Sequence, residues 1–416
     1  VTLSSDGDGG SEMVNADVVW MLICAAFVWL MVPGLALFYG GFSDIKQGVN
    51  TIAMVLIAIA IGGVIWFSIG YSLAFSGDGP IIGDLHNAFF QHVSLVRSTR
   101  GLTIPDGVFA LFQGMFPMIT MAIIAGSVVG RMNFKAFMLF LGGWMIFIYI
   151  PLAHMVWGGG ILAQHGALDF AGGDVVHISS GVSGLVLALI IGKRQKVTSL
   201  TAHNLFSVVV GGGLLWFGWF GFNAGSALAA NETAILAFIN TNIAAATAML
   251  AWVLCEYYLI KQIKVSGALS GAIAGLVAIT PAAGYVDPLG AFLMGILNAV
   301  IVFIATTVIK YRLGYDDTLD AFGLHGVGGI VGGLLTGVFA QPALAHQKGL
   351  IFGDAHLLGH QTLAIVVTVA ISVIGTLVLA RVIQMIIPLR IGKHYEDSGI
   401  DVKEHGETLQ LRAFYH

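Results

Sequence analysis

His177 and His325 carry the side chain best suited to proton chemistry near neutral pH. Each sits in an apolar, glycine-rich stretch: Val175-Val176-His177-Ile178-Ser179-Ser180-Gly181 and Phe322-Gly323-Leu324-His325-Gly326-Val327-Gly328. A charge at bilayer depth costs roughly 2.5–3.5 kcal/mol on insertion scales, so an ionisable residue there usually marks a pathway or a proton relay. Two imidazoles at matching positions in the two halves of one chain predict a pore whose lining handles protons. The competing reading is a pair of buried histidines that only holds two helices together.

Aromatic side chains form the second constellation. Interfacial belts account for most Trp and Tyr in membrane proteins, and Trp144, Tyr149 and Trp216 fit that expectation. Two segments are different: Phe112-Gln113-Gly114-Met115-Phe116 and Gly218-Trp219-Phe220-Gly221-Phe222-Asn223-Ala224-Gly225-Ser226 mix rings with glycine and polar groups. That mix suits a vestibule that strips water from a small cation. A desolvated cation–π contact is worth about 2 kcal/mol, less than the several kcal/mol of desolvating an ion. Aromatics can recruit a cation but cannot alone carry it through a dry pore. No motif pairs a nucleophile with a base, and no Cys, His and carboxylate cluster has metal spacing. Neither an enzyme nor a metal or other cofactor is expected. Cys24 and Cys255 lie in different apolar runs and read as packing residues.

These residues need helices across a bilayer to position them. Charged residues are 10% of the chain and mean hydropathy is +0.91, too apolar for a soluble protein of this length. Eleven runs near the ~20 residues needed to cross ~30 Å of hydrocarbon predict an all-α polytopic membrane protein in the lipid bilayer. They fall at about 17–41, 48–75, 106–129, 134–153, 170–192, 202–226, 233–259, 267–284, 287–310, 321–341 and 360–388. The eighth is short. Lys46, Arg131, Lys135, Lys193, Arg194, Lys196, Lys261, Lys264, Lys310 and Arg312 fall in alternate connections, joined by Arg390, Lys393, Lys403 and Arg412 in the tail. The opposite connections hold Arg97, Arg100 and Lys348. By the positive-inside rule the C-terminus is cytoplasmic, and eleven crossings put the N-terminus outside.

The expected organisation is a polar external segment at 1–16, a membrane domain at 17–388 and a cytoplasmic tail at 389–416. The opening Val1 and polar start fit a mature chain freed of a signal peptide, or an expression remnant. Val49-Asn50-Thr51 echoes Ile239-Asn240-Thr241, and Leu168-Asp169-Phe170 precedes His177 much as Leu319-Asp320 precedes His325. Runs one to five against six to ten would form an inverted repeat, with the conduction site at the midplane between halves. Gly181-Val182-Ser183-Gly184, Gly211 to Gly213, Gly267 to Gly275 and Gly326 to Gly333 favour close helix contact. The tail's mixed charges with Gly399 and Gly406 suit either a solvated end or a segment folded back on the cytoplasmic face.

Five ordered segments carry a family resemblance: Pro33 to Gly41, Ala153 to Gly160, His165 to Gly173, Gly218 to Ser226 and Asp320 to Gly329. With them the chain closely resembles the Amt/Mep/Rh ammonium transporters, the bacterial Amt branch in particular, from about Asp17 through Glu407. The resemblance implies recruitment of ammonium at Trp157 and Ser226 beside Phe116, with Asp169 holding that site in shape and field; because Leu168-Asp169 precedes a span, capping of a helix N-terminus is the equal alternative for Asp169. It implies a stacked phenylalanine gate at Phe116 and Phe222, Trp219 lining the lumen, and twin pore imidazoles at His177 and His325. It also implies a homotrimer with one pore per subunit, no cofactor, and residence in the cell (inner) membrane.

Ammonium suits imidazoles in an apolar tube, because it can leave its proton behind while neutral ammonia crosses cheaply. With an amine at ~10 and imidazole at ~6.5, transfer to His is uphill by several kcal/mol in water. Burial or hydrogen bonding in the pore must change that balance. Methylammonium is the expected analogue, and no nucleic acid is expected as a partner. The first cytoplasmic connection reads Gly41-Phe42-Ser43-Asp44-Ile45-Lys46-Gln47 where the family usually has a basic start, which counts against docking of a PII-type signalling protein. A fused cytoplasmic signalling domain after residue 416 would make the protein an ammonium sensor-transducer, the alternative function.

Overall fold

The computed structural model describes residues 13–195 and 202–409. The start of the expected external segment, Lys196 and Arg412 lie outside them. Among the described residues the chain is helical, with one isolated β-bridge between Met132 and Arg390.

The helices are α1 (Asn15–Phe42), α2 (Gly48–Phe75), α3 (Asp106–Val128), α4 (Phe134–Gln164, interrupted at residues 158–160), α5 (Gly173–Ile191) and α6 (Leu205–Gly225). They continue as α7 (Glu232–Ile260), α8 (Val265–Ile279), α9 (Pro288–Leu313), α10 (Phe322–Phe339) and α11 (His356–Gln384). Ten of these are long and apolar enough to cross a membrane. The exception is α8: its 15 residues reach about 22 Å at 1.5 Å per residue, short of ~30 Å of hydrocarbon. The expected eighth span at 267–284 therefore includes turn as well as helix.

Six helices contain a π-helical segment, where the backbone widens locally. They are Trp66–Gly70 in α2, Met145–Tyr149 in α4, Gly173–Ile178 in α5, Glu256–Ile260 in α7, Ala305–Ile309 in α9 and Phe322–Val327 in α10. Each of the first three has its counterpart five helices later. Such bulges often lie at functional sites, and His177 and His325 each sit in one.

Alternate connections meet at the same end of the bundle. At one end Asn133 donates to Leu389 O, Arg194 pairs with Asp316, and Arg390 donates to the carbonyls of Ile191 and Lys193. At the other, Val14 donates to Thr103 O, Phe170 to Pro281 O and Gln341 to Tyr285 O. Asp316 is held by the fully buried Arg131 and by Arg194. Burial would raise its pKa, but the two guanidiniums win and hold its carboxyl below the usual range.

The tail folds back on that first end through α12 (Lys393–Ser398) and α13 (Ile400–His405). Glu396 takes a two-pronged bond from Arg390, and Asp401 accepts from the backbone N–H groups of Val49 and Asn50 at 3.0 and 2.8 Å. The tail carboxylate thus caps α2, whose first N–H groups lack helical partners. Trp144 and Tyr149, expected at an interface, are fully buried between helices instead. Trp144 Nε1 donates to Ser183 Oγ at 2.8 Å, which accounts for an indole this deep.

Candidate functional site

Glycine lets the two histidine-bearing helices touch. A Cβ on Gly181 of α5 would fall 2.2 Å from the backbone N and 2.6 Å from the Cα of Gly326 on α10. One turn away, His177 and His325 meet with Nδ1 to Nδ1 at 3.1 Å, and their rings lie 5.2 Å apart at 25°. They are 1% and 4% exposed, so the contact is made in a dry interior.

Rings continue outward from this pair. Trp219 packs on His177 at 5.4 Å and on Phe222 at 5.6 Å, and Phe222 packs on Phe116 at 4.6 Å. The Phe116 and Phe222 planes are tilted by 44°, not parallel as a stacked gate implies. Phe116 then meets Trp157 edge-on at 5.8 Å. Exposure rises along this line from fully buried Phe222 to half-buried Trp157 and Ser226. The sequence-predicted residues form one continuous column from surface to twin histidines.

Backbone bonds fix the outer residues. Asp169 accepts from the N–H groups of Gly172, Gly173, Asp174 and Val175, so its carboxyl caps the start of α5. Its own carbonyl accepts from Trp157 Nε1 at 2.8 Å. Asp169 therefore anchors Trp157 and α5 together. Ser226 Oγ donates to Phe222 O at 2.9 Å, which leaves its lone pairs free to accept. In the second half the cap is Asp317, which accepts from Phe322 N, whereas Asp320 pairs with Lys310 at 2.6 Å. The echo of Leu168-Asp169 in Leu319-Asp320 does not extend to the same role.

A cavity of about 10 Å³ lies against His177, His325, Trp219, Phe222, Tyr39 and Leu324. That is near the least volume that holds one water. The cavity is narrow and almost wholly apolar. Sequence reasoning missed Tyr39, and it missed Thr280, whose Oγ1 accepts from buried Trp219 Nε1 at 2.9 Å. Only the structure brings these residues to the column. Among the described residues no group of His, Cys, Asp and Glu is set to hold a metal ion.

Comparison with known proteins follows the same residues. The family model described as Ammonium Transporter Family matches residues 19–410. An "Ammonium transporter" of Bacillus subtilis is 48% identical over 95% of this chain and 98% of its own. The crystal structure of Saccharomyces cerevisiae Mep2 matches with a TM-score of 0.84 and 36% identity, covering 92% of this chain and 88% of that one. A structure titled "Sensor Amt Protein" matches at 0.85 and 29% identity, covering 94% and 98%.

Proposed function

The chain belongs to the Ammonium Transporter Family, and from that premise we propose that it recruits ammonium at an outer aromatic site and passes it through the twin-histidine lumen. Trp157 and Phe116 offer ring faces to the cation, Ser226 offers an oxygen acceptor, and Asp169 keeps Trp157 in place. The Phe116–Phe222 pair closes the path below, so ammonium sheds water there. Its proton must leave before the molecule enters a lumen this apolar.

The observation that carries this reading is the 3.1 Å contact between two Nδ1 atoms. Two like nitrogens at that distance hold one hydrogen between them: one donates, the other accepts. A proton arriving at one ring shifts the shared hydrogen toward the other, and titration belongs to the pair. A pair that merely joined two helices would not need to line a cavity with its rings.

The six π segments, repeated at a five-helix interval, support an inverted five-plus-five repeat followed by α11. We assign the end holding Arg131, Arg194, Arg390 and the tail to the cytoplasm by the positive-inside rule, with the N-terminus outside. We carry over from the family resemblance a homotrimer without cofactor in the cell membrane. The exposed Asp44 of the first cytoplasmic connection disfavours a PII-type partner.

Likeness to the "Sensor Amt Protein" supports a second reading, in which the same site controls a signalling domain. Electrophysiology on purified protein in solid-supported membranes separates the two. Ammonium pulses should give current, methylammonium less, and sodium none. Ammonium binding without current would favour the sensor.

A further inference from the structure

The two ends of the column are built alike up to one residue. Asp169 and Asp317 each stand eight residues before a lumen histidine, and each carboxyl caps that histidine's helix. The main-chain oxygen of each is then held by a side chain from the preceding membrane helix. At Asp169 the donor is the uncharged indole of Trp157 on α4, at 2.8 Å. At Asp317 it is the ammonium of Lys310 on α9, at 2.6 Å, which also bonds to Asp320 Oδ1 at 2.6 Å.

This inner cluster lies behind the wall of the cavity. Tyr39 lines the cavity at the histidine pair, and a Cβ on Gly126 would fall 2.6 Å from its ring. Gly126 O in turn accepts at 2.8 Å from the N–H of Leu319, which sits between the two aspartates. Lys310 is buried, whereas the Asp320 side chain is 38% exposed. Asp320 also takes a φ of +58°, a left-handed backbone that non-glycine residues adopt at a cost and that clusters at ligand clamps. Asp317 Oδ1 is buried and has no hydrogen-bond partner among the described residues. A lysine ends in a primary ammonium, the donor chemistry of the substrate with three N–H bonds in place of four. The carbonyl and carboxylate that hold it are the ligands a free ammonium ion would take. Two cations cannot share them, because like charges about 4 Å apart repel strongly where water is scarce. We propose that Lys310 is a tethered ammonium filling the inner counterpart of the recruitment site, so that the path loads ammonium from the outer mouth in preference to the inner one. The lysine makes the two mouths unequal in affinity and drives nothing: equal ammonium on both sides gives no current. This rests on the proposed function and adds the residue that sets its sidedness. A lysine that only braced its turn would leave the inner affinity unchanged when removed.

Two readouts on the full chain in lipid test this. The first is thermal melting of Lys310→Ala, or of Lys310→Met if the alanine variant does not fold, in ammonium chloride against sodium chloride. Ammonium should raise the melting temperature of the variant by a few degrees more than that of the native protein, because a ligand that binds only the folded state stabilises it. The second applies ammonium to one face at a time in patches from giant proteoliposomes, with a tag on the tail marking the inner face. The native protein should need roughly ten-fold more ammonium for half-maximal current from the inner face than from the outer, the scale of one charged hydrogen bond. Lys310→Met should remove most of that difference and leave the outer value alone, while Lys310→Arg, which keeps the charge, should retain it. A melting shift no larger in the variant than in the native protein would overturn the proposal. So would equal half-saturation at the two faces of the native protein, or an inner value that Lys310→Met does not lower. If none of the proteins gives current, the proposed function fails, and the melting comparison still decides whether the Lys310 position takes free ammonium.

Discussion

Substituting Gly181 by Ala tests whether conduction depends on the close crossing of α5 and α10. The added methyl would sit 2.2 Å from Gly326 N, about 1.2 Å inside the 3.4 Å of ordinary contact. Backbone cannot swing aside as a flexible side chain can, so the helices must part. Even half of that shift added to the 3.1 Å Nδ1 contact exceeds the 3.5 Å limit of a hydrogen bond. Overpacking of this kind costs about 1–3 kcal/mol, so the fold should survive while the imidazole pair separates. The assay compares ammonium-evoked current with thermal stability. Gly181→Ala should lose most of its current for a modest loss of stability. Gly213→Ala is the control: nothing lies within 4 Å of its Cβ, and it should leave the current alone and stabilise its helix slightly. A Gly181→Ala protein with native current would refute the claim that this crossing sets the histidine geometry.

Other outcomes follow from single contacts. Thr280→Val leaves the buried Trp219 indole N–H without its acceptor, costing about 1–3 kcal/mol and disturbing conduction, whereas Thr280→Ser should be mild in both stability and current assays. Trp157→Leu should weaken apparent ammonium affinity by about 0.5–2 kcal/mol and Ser226→Ala by about 1 kcal/mol. Concentration-dependent currents should show the two coupled in a double-mutant cycle; unchanged affinity in both would reduce Trp157 to an anchor. Asp316→Asn strands the buried Arg131 guanidinium and should destabilise by about 3–5 kcal/mol in thermal unfolding. Because the folded Asp316 carboxyl is held below its ordinary value, its stabilisation is present above the unfolded value of ~3.9 and is lost as pH falls through the folded one. A melting curve insensitive to acid in the wild type and Asp316→Asn alike would contradict this.

Polarity contrast made part of the column legible in the sequence: His177 and His325 stand out in apolar helices, and rings beside glycine mark the segments of Phe116 and Phe222, whereas the roles of Trp157, Ser226 and Asp169 came from the family resemblance. Span positions were legible for the same reason, since length and hydropathy decide them. Ends were less so. Span five was expected from 170 but begins at Gly173, because Asp169 turns back to cap the helix. The π segments have no composition of their own, so no hydropathy pattern reveals them. Thr280 and Asp401 were hidden for another reason. Their partners Trp219 and Asn50 are 61 and 351 residues away, and only the packed helices make them neighbours. The buried Trp144 shows the reverse error: an interfacial residue type found its partner inside.

The central claim is that ammonium gives up its proton before the apolar lumen and that the twin histidines line the path it then crosses. The most direct measurement is current in solid-supported membranes carrying purified wild type, His177→Ala or His325→Ala. The wild type should respond to ammonium, less to methylammonium and not to sodium. Each variant should remain folded, because the surrounding helix stays apolar, yet show altered current and selectivity. Native ammonium current with unchanged selectivity in either variant would contradict the account.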